Sequence, residues 1–257
     1  MVIMHNNHHI NNLKENGYTV LKNVYSEEEI TFLRNSFIEY FNEGGGFIVD
    51  TIKTRMKRIR KNIYQKLRGE DFISKVAKVK VDWFKESKLS IYRDLTLKKL
   101  NAEILSTILN EKIIFAERND FHINTNADWH KDVLNRGAKN FQKNSPWEPE
   151  GINQMKIYTA ITYLQKIPKD EGFMIKKGSH LKSDYTSGEN YIISDEVKLG
   201  DVILFDIRLT HRPVYSEKYN RLFFSTSYGV ENKYLHQYIK GTLYRQRIQN
   251  TQNKLHY

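Results

Sequence analysis

Apolar positions change their rhythm along this chain. Before about residue 110 they recur every three or four residues, and after it they gather into short runs separated by turn residues. Ser26 is followed by Glu27, Glu28 and Glu29 and then by Ile30, Phe32, Leu33, Phe37 and Phe41. Ser26 and Glu29 match a capping box, and three carboxylates at the positive end of a helix dipole reinforce it. The spacing predicts a helix over about Glu27 to Asn42, ended by Gly44 to Gly46. Ahead of it, Leu13 to Asn16 predicts a short helix stopped at Gly17, then a strand over Tyr18 to Leu21. His5, His8 and His9 are expected to lie in a loose terminus. Between Thr51 and Arg68 stand eight Lys or Arg and no acid, with Met56, Ile59, Ile63 and Leu67 at helical spacing. That pattern predicts an amphipathic basic helix, whose charged face is either solvated or turned to an anionic surface. A further helical run is expected from Asp71 to Leu109.

The texture then becomes that of short strands: Lys112 to Ala116, Lys156 to Leu164, Gly172 to Lys176, Val202 to Phe205 and Leu222 to Tyr228. Turns such as Leu199-Gly200-Asp201 divide them, which indicates an antiparallel sandwich or barrel. The expected organisation is mainly β with flanking N-terminal α-helices. It is one domain over 1–257, with a helical flank at 1–110, a β core at 111–232 and a helical tail at 233–257.

Composition narrows the chemistry. There is no cysteine, so disulfides and thiolate metal sites are excluded, and any metal must be held by His and carboxylates. Aromatic residues make up 12% of the chain, enough bulk for a packed core. The net charge of +11 favours anionic partners: nucleic acid, phosphorylated metabolites or lipid head groups. It does not choose among them. Peripheral contact with an anionic surface is open, but no window approaches eighteen apolar residues and no apolar leader follows Met1. The cytoplasm is the expected compartment.

Two segments carry the chemistry, Trp129-His130-Lys131-Asp132 and Thr210-His211-Arg212. Residues two apart on a strand share a face, so His130 and Asp132 would present an imidazole and a carboxylate together while Lys131 points away. His211 from another strand would complete two His and one carboxylate, which holds Fe(II) on one side and leaves positions open for a bidentate co-substrate and O2. A lone His-x-Asp pair arises readily by chance among nine His and thirty acids. Ten residues past His211, Arg221 opens the apolar run Leu222-Phe223-Phe224. A turn through Ser216 to Asn220 would bring that strand back beside His211, where a guanidinium can grip a carboxylate with two parallel hydrogen bonds.

Four ordered stretches together resemble the phytanoyl-CoA dioxygenase family of iron/2-oxoglutarate oxygenases. They are Gly17 to Val24 with the Ser26 helix start, Trp129 to Asp132, Tyr163-Leu164-Gln165 leading to Gly178-Ser179-His180, and Gly200 to Asp206 leading to His211 and Arg221. The resemblance implies a double-stranded β-helix, a cupin-like jelly-roll barrel. It implies iron ligation by His130, Asp132 and His211, and 2-oxoglutarate binding by Arg221, with Asn124 and Tyr158 as further co-substrate contacts. Its reaction would be the hydroxylation of a C–H bond, with succinate and CO2 released and ascorbate serving as a reductant in vitro. Halogenating relatives replace the carboxylate with a small residue, so Asp132 favours hydroxylation. His180 is expected to be structural. Pro213 departs from the family, many of whose members carry a hydroxyl residue there. For a polar or anionic small-molecule substrate, Arg118, His122, Arg208 and Arg212 are the candidate contacts. The alternatives are a nucleic-acid-directed oxygenase, a non-catalytic cupin-like binding protein, and a Zn- or Mn-dependent cupin enzyme. The first is disfavoured because no second arginine closely follows Arg221.

Overall fold

The capping box predicted at Ser26 forms in both directions. The Glu29 backbone N–H donates to Ser26 Oγ at 3.2 Å, and the Ser26 backbone N–H donates to a Glu29 carboxylate oxygen at 2.9 Å. A computed structural model describes residues 3–42, 47–48, 79–81, 90–123, 128–134, 146–168, 172–193, 196–214 and 222–241. The basic segment from Thr51 to Arg68, together with Asn124 and Arg221, lies outside the described residues.

In chain order the described elements begin with α1 (Ile3–Asn16), β1 (Tyr18–Leu21), α2 (Glu27–Asn42), β2 (Phe47–Ile48) and β3 (Val79–Val81). Then come α3 (Ser90–Lys99), α4 (Ala102–Leu109), β4 (Ile113–Ile123), α5 (Pro149–Gln154), β5 (Ile157–Tyr163) and β6 (Gly172–Lys177). The chain continues with β7 (Glu189–Ile192), β8 (Val202–Asp206), β9 (His211–Val214) and β10 (Leu222–Val230). Residues 233–241 are helical.

Two sheets face each other. The larger has the order β1-β8-β5-β10-β4-β3-β2 and the smaller β7-β6-β9, with every pairing antiparallel. This is the jelly-roll, double-stranded β-helix arrangement with N-terminal helices, as expected. Alternation along each strand splits the side chains of the large sheet into two sets. One set, including Leu204, Phe121, Phe224 and Tyr228, packs under α2 and α4 against Ile30, Leu33, Phe37 and Leu105. The other set, including Ile161, Tyr163, Ile203, Phe205 and Phe223, meets Phe173 and Ile175 of the small sheet. A third cluster contains Met155, Ile157, Ile207, Tyr234, Leu235 and Tyr238, which ties the helix at 233–241 to the ends of the strands.

Several expectations need correction. The terminus carrying His8 and His9 is part of α1, and His9 Nδ1 lies 2.9 Å from Thr19 Oγ1. The run from Asp71 to Leu109 is not one helix. Val79–Val81 pairs with β4 as a strand, and α4 starts afresh where the Asn101 side chain accepts the Ile104 N–H at 2.8 Å. β4 reaches Ile123 rather than Ala116, because its pairing with β10 and β3 continues past Asn119 and Asp120, which are polar in sequence yet buried. β10 does not run back beside His211. It pairs with β4 and β5 in the large sheet, while β9 pairs with β6 in the small one. Gly17 ends α1 at φ +81°, and a Cβ there would stand 2.6 Å from His180 Nδ1, so glycine alone fits the crossing. No described helix is long and apolar enough to cross a membrane.

Candidate metal centre

His130 and His211 are locked as a directly opposed backbone pair. His130 N donates to His211 O at 3.0 Å, and His211 N donates to His130 O at 2.9 Å. Residues paired this way hold their side chains on a common face, and the two rings lie with centroids 4.2 Å apart. His130 is an isolated bridge residue, not part of a strand, and Asp132 opens a 3-10 turn (Asp132–Leu134). The strand expected through His-x-Asp is therefore absent. The turn, fixed by Val133 N donating to Ile207 O at 3.0 Å, instead brings the carboxylate back to the imidazoles.

One donor atom from each of His130, Asp132 and His211 lies within 4.8 Å of the others, and Asp132 Oδ1 is 3.9 Å from both Nε2 atoms. The imidazole tautomers follow from their neighbours. His130 Nδ1 meets Asp128 O at 2.8 Å and His211 Nδ1 meets Leu209 O at 2.9 Å. A carbonyl oxygen only accepts, so each Nδ1 carries a proton, and Nε2 is the ring atom left on the side of Asp132. Two imidazoles and one carboxylate, with the outer ring nitrogens already engaged, form a donor set that suits a divalent iron ion. His211 and Asp132 are buried, and the His130 side chain keeps 25% exposure.

The walls differ in character. Phe173 and Phe205 stand with ring centroids 5.1 and 4.8 Å from that of His211. Beside Phe205, whose cross-strand partner is Thr159, runs a chain of hydroxyls. Thr159 Oγ1 donates to Asp132 Oδ2 at 3.4 Å, Ser227 Oγ is 3.3 Å from Thr159 Oγ1, and Tyr238 OH is 3.4 Å from Ser227 Oγ. Thr159 was not anticipated. Its signal was its parity on β5, since Thr159 and Tyr158 necessarily face opposite ways.

That parity corrects Tyr158, which packs in the helix-facing core, on the far face of the sheet from Asp132. Burial raises its phenol pKa above the ordinary value. Arg208 is corrected too. It is buried, not at a pocket edge, and its guanidinium donates to both oxygens of Asp206 at 2.7 and 3.0 Å. It also donates to Pro146 O at 3.2 Å and Gly151 O at 3.1 Å. Burial alone would lower its pKa, but the Asp206 charge beside it leaves it raised. Arg212 takes the opposite face of β9 from His211 and lies 4.7 Å from the centroid of the Trp129 ring. His122 stacks on Phe223 at 4.4 Å on the inner face of the large sheet. Arg118 falls on β4 with its side chain outside the described residues. His180 is structural: its Nε2 meets Lys14 O at 3.1 Å, and burial lowers its pKa.

Lys131, between two members of the triad, points away from them as expected. It is wholly buried, with Nζ donating to Ser179 O at 2.6 Å and Arg208 O at 2.8 Å. Burial pushes its ammonium down to about 8.

The family model of the phytanoyl-CoA dioxygenases matches residues 13–213, which span His130, Asp132 and His211 and stop short of Arg221. Among solved structures the chain is similar to AviO1 from Streptomyces viridochromogenes Tue57, with 15% identity, 87% of this chain and 94% of that chain covered, and a TM-score of 0.58. It is similar to SnoK, a non-haem alpha ketoglutarate dependent carbocyclase from nogalamycin biosynthesis, with 19% identity, 87% and 83% covered, and a TM-score of 0.55. It is also similar to the epimerase SnoN in complex with Fe3+, alpha ketoglutarate and nogalamycin RO, with 12% identity, 88% and 83% covered, and a TM-score of 0.56. At these identities the likeness shows the fold. A search of curated proteins finds no match by sequence.

Proposed function

The chain belongs to the phytanoyl-CoA dioxygenase family, and from that premise we propose that it hydroxylates a C–H bond of a small polar or anionic metabolite. Its activity is that of an iron/2-oxoglutarate-dependent dioxygenase. The observation that carries our reading is the convergence of the two Nε2 atoms and the Asp132 carboxylate, with Oδ1 3.9 Å from each Nε2. In it, His130, Asp132 and His211 would hold Fe(II), and Arg221 and Asn124 would bind 2-oxoglutarate. Residues 1–257 would serve as one domain. When bound, the iron with 2-oxoglutarate and O2 supplies the oxidising power to replace hydrogen by hydroxyl, with succinate and CO2 as co-products.

The chain's own residues supply position and shelter. The carbonyls of Asp128 and Leu209 fix both ring orientations, and Thr159 holds the outer oxygen of Asp132. Phe173 and Phe205 keep water from the His211 side. A small-molecule substrate agrees with the nogalamycin chemistry named for SnoK and SnoN, and an anionic one agrees with the net charge of +11.

The test is succinate release from 2-oxoglutarate with Fe(II), O2 and ascorbate, screened over candidate metabolites. A hit among anionic metabolites supports the full proposal. Wild-type protein that binds neither Fe(II) nor 2-oxoglutarate would sink it. Steeply salt-dependent binding of an oligonucleotide would favour a nucleic-acid substrate instead.

A further inference from the structure

The residue between the first two members of the triad makes a connection that neither of them makes. Lys131 Nζ donates to Ser179 O at 2.6 Å and to Arg208 O at 2.8 Å, and the side chain has no exposed surface. Lysine is among the residues least often buried without an acidic partner. Among the described residues, however, these two bonds go to backbone carbonyls, not to a carboxylate.

Both carbonyls belong to segments that frame His211. Ser179 follows β6, and its Oγ accepts the Thr210 N–H at 2.8 Å, one residue before His211. Arg208 lies three residues before His211 and is itself immobilised by Asp206, Pro146 O and Gly151 O. One ammonium thus ties the His130–Asp132 segment to the two pieces of chain that deliver the third donor. The His130–His211 ladder would persist without it, because its two bonds are between backbones. Asp132 depends on it more. The carboxylate, which accepts from Thr159 Oγ1, is carried on a turn whose backbone is anchored next to it by Lys131 on one side and by the Val133 N–H to Ile207 O on the other.

We propose that Lys131 is a positioning residue that sets the place of the Asp132 carboxylate relative to the two imidazoles, and so sets the affinity of the centre for a divalent cation. This rests on the reading of His130, Asp132 and His211 as a metal centre. Lys131 touches neither metal nor substrate. It acts through the backbone of its neighbours.

The test is a titration with Mn(II) alone, a redox-silent divalent ion, followed by the EPR signal of the free ion in the full-length protein. Wild type binds Mn(II). K131M, which keeps the length of the side chain and loses its donors, weakens binding by about 10- to 100-fold, the range that outer contacts to ligand side chains produce. K131Q, which keeps an amide donor, falls between the two and stands in if K131M does not stay folded. F37L loosens the helix-facing core far from the centre and leaves Mn(II) affinity unchanged. Wild-type affinity in either lysine variant overturns the inference, as does an equal loss in F37L, which would make the effect one of general stability. Failure of the wild type to bind Mn(II) would instead remove the metal centre itself.

Discussion

The two faces of the seven-stranded sheet are built from adjacent residues yet do opposite work. Toward the helices, Tyr158, Phe121, Phe224 and Tyr228 meet Phe37, Leu33 and Leu105 in an apolar layer, with Phe37 stacked on Phe121 at 3.9 Å. Toward the small sheet, Thr159 and Ser227 place hydroxyls beside Asp132, and Phe205 stands against His211. The difference teaches that a residue's role here is set by odd or even position before chemical type. Tyr158 has the more suggestive side chain, and Thr159 has the position.

Substitutions can break that division or sharpen it. The largest effect belongs to the inner side, where D132A removes the carboxylate donor. It should lower succinate formation by more than about 100-fold, beyond what outer contacts to ligands contribute, while the melting temperature stays near wild type. A D132A protein with wild-type turnover would refute the centre. On the outer side, F37A should cost about 3–5 kcal/mol of stability in urea unfolding, as large-to-small core changes do, and leave Mn(II) affinity unaltered. Loss of affinity in folded F37A would show that the two faces are coupled.

T159V should lower kcat by a factor of about 3 to 10, the worth of one modest hydrogen bond to Asp132, with little change in unfolding. Y158F, its neighbour on the other face, should keep the KM for 2-oxoglutarate within about twofold, because the phenol faces the helices. A raised KM there would reverse the assignment. The smallest effect is one of pH. Burial holds the His180 pKa below its ordinary value, so the unfolded chain takes up the proton first as pH falls below about 6.5. Stability should therefore decline on acidification through that range, and H180N should show a shallower decline in pH-dependent unfolding.

Local rules made part of this molecule legible. The Ser26–Glu29 box and the Gly17 stop are set by residues a few positions apart, and both stand where their spacing placed them. The donor set His130, Asp132 and His211 was readable from chemical type and order. Its geometry was not. Asp132 arrives on a turn rather than a strand, because the Val133 N–H is taken by Ile207 O, far along the chain. The strand expected at His211 is β9, but its extent was not readable because it is short and contains Pro213, which suits an outer strand of the small sheet. The burial of Asn119, Asp120, Lys131 and Arg208 was hidden for a common reason. Polar residues read as surface until the partners that satisfy them are known, and Arg208 had Asp206 while Lys131 had two carbonyls.

The reciprocal backbone bonds between His130 and His211 carry a consequence for biosynthesis. A chain emerging from the ribosome presents the earlier imidazole and the carboxylate long before the later imidazole exists. The rings can be paired only once the segment that carries His211 has been made. If these three residues hold the ion, its capture would wait until His211 has been made, and a translation product truncated before that residue would lack the third donor.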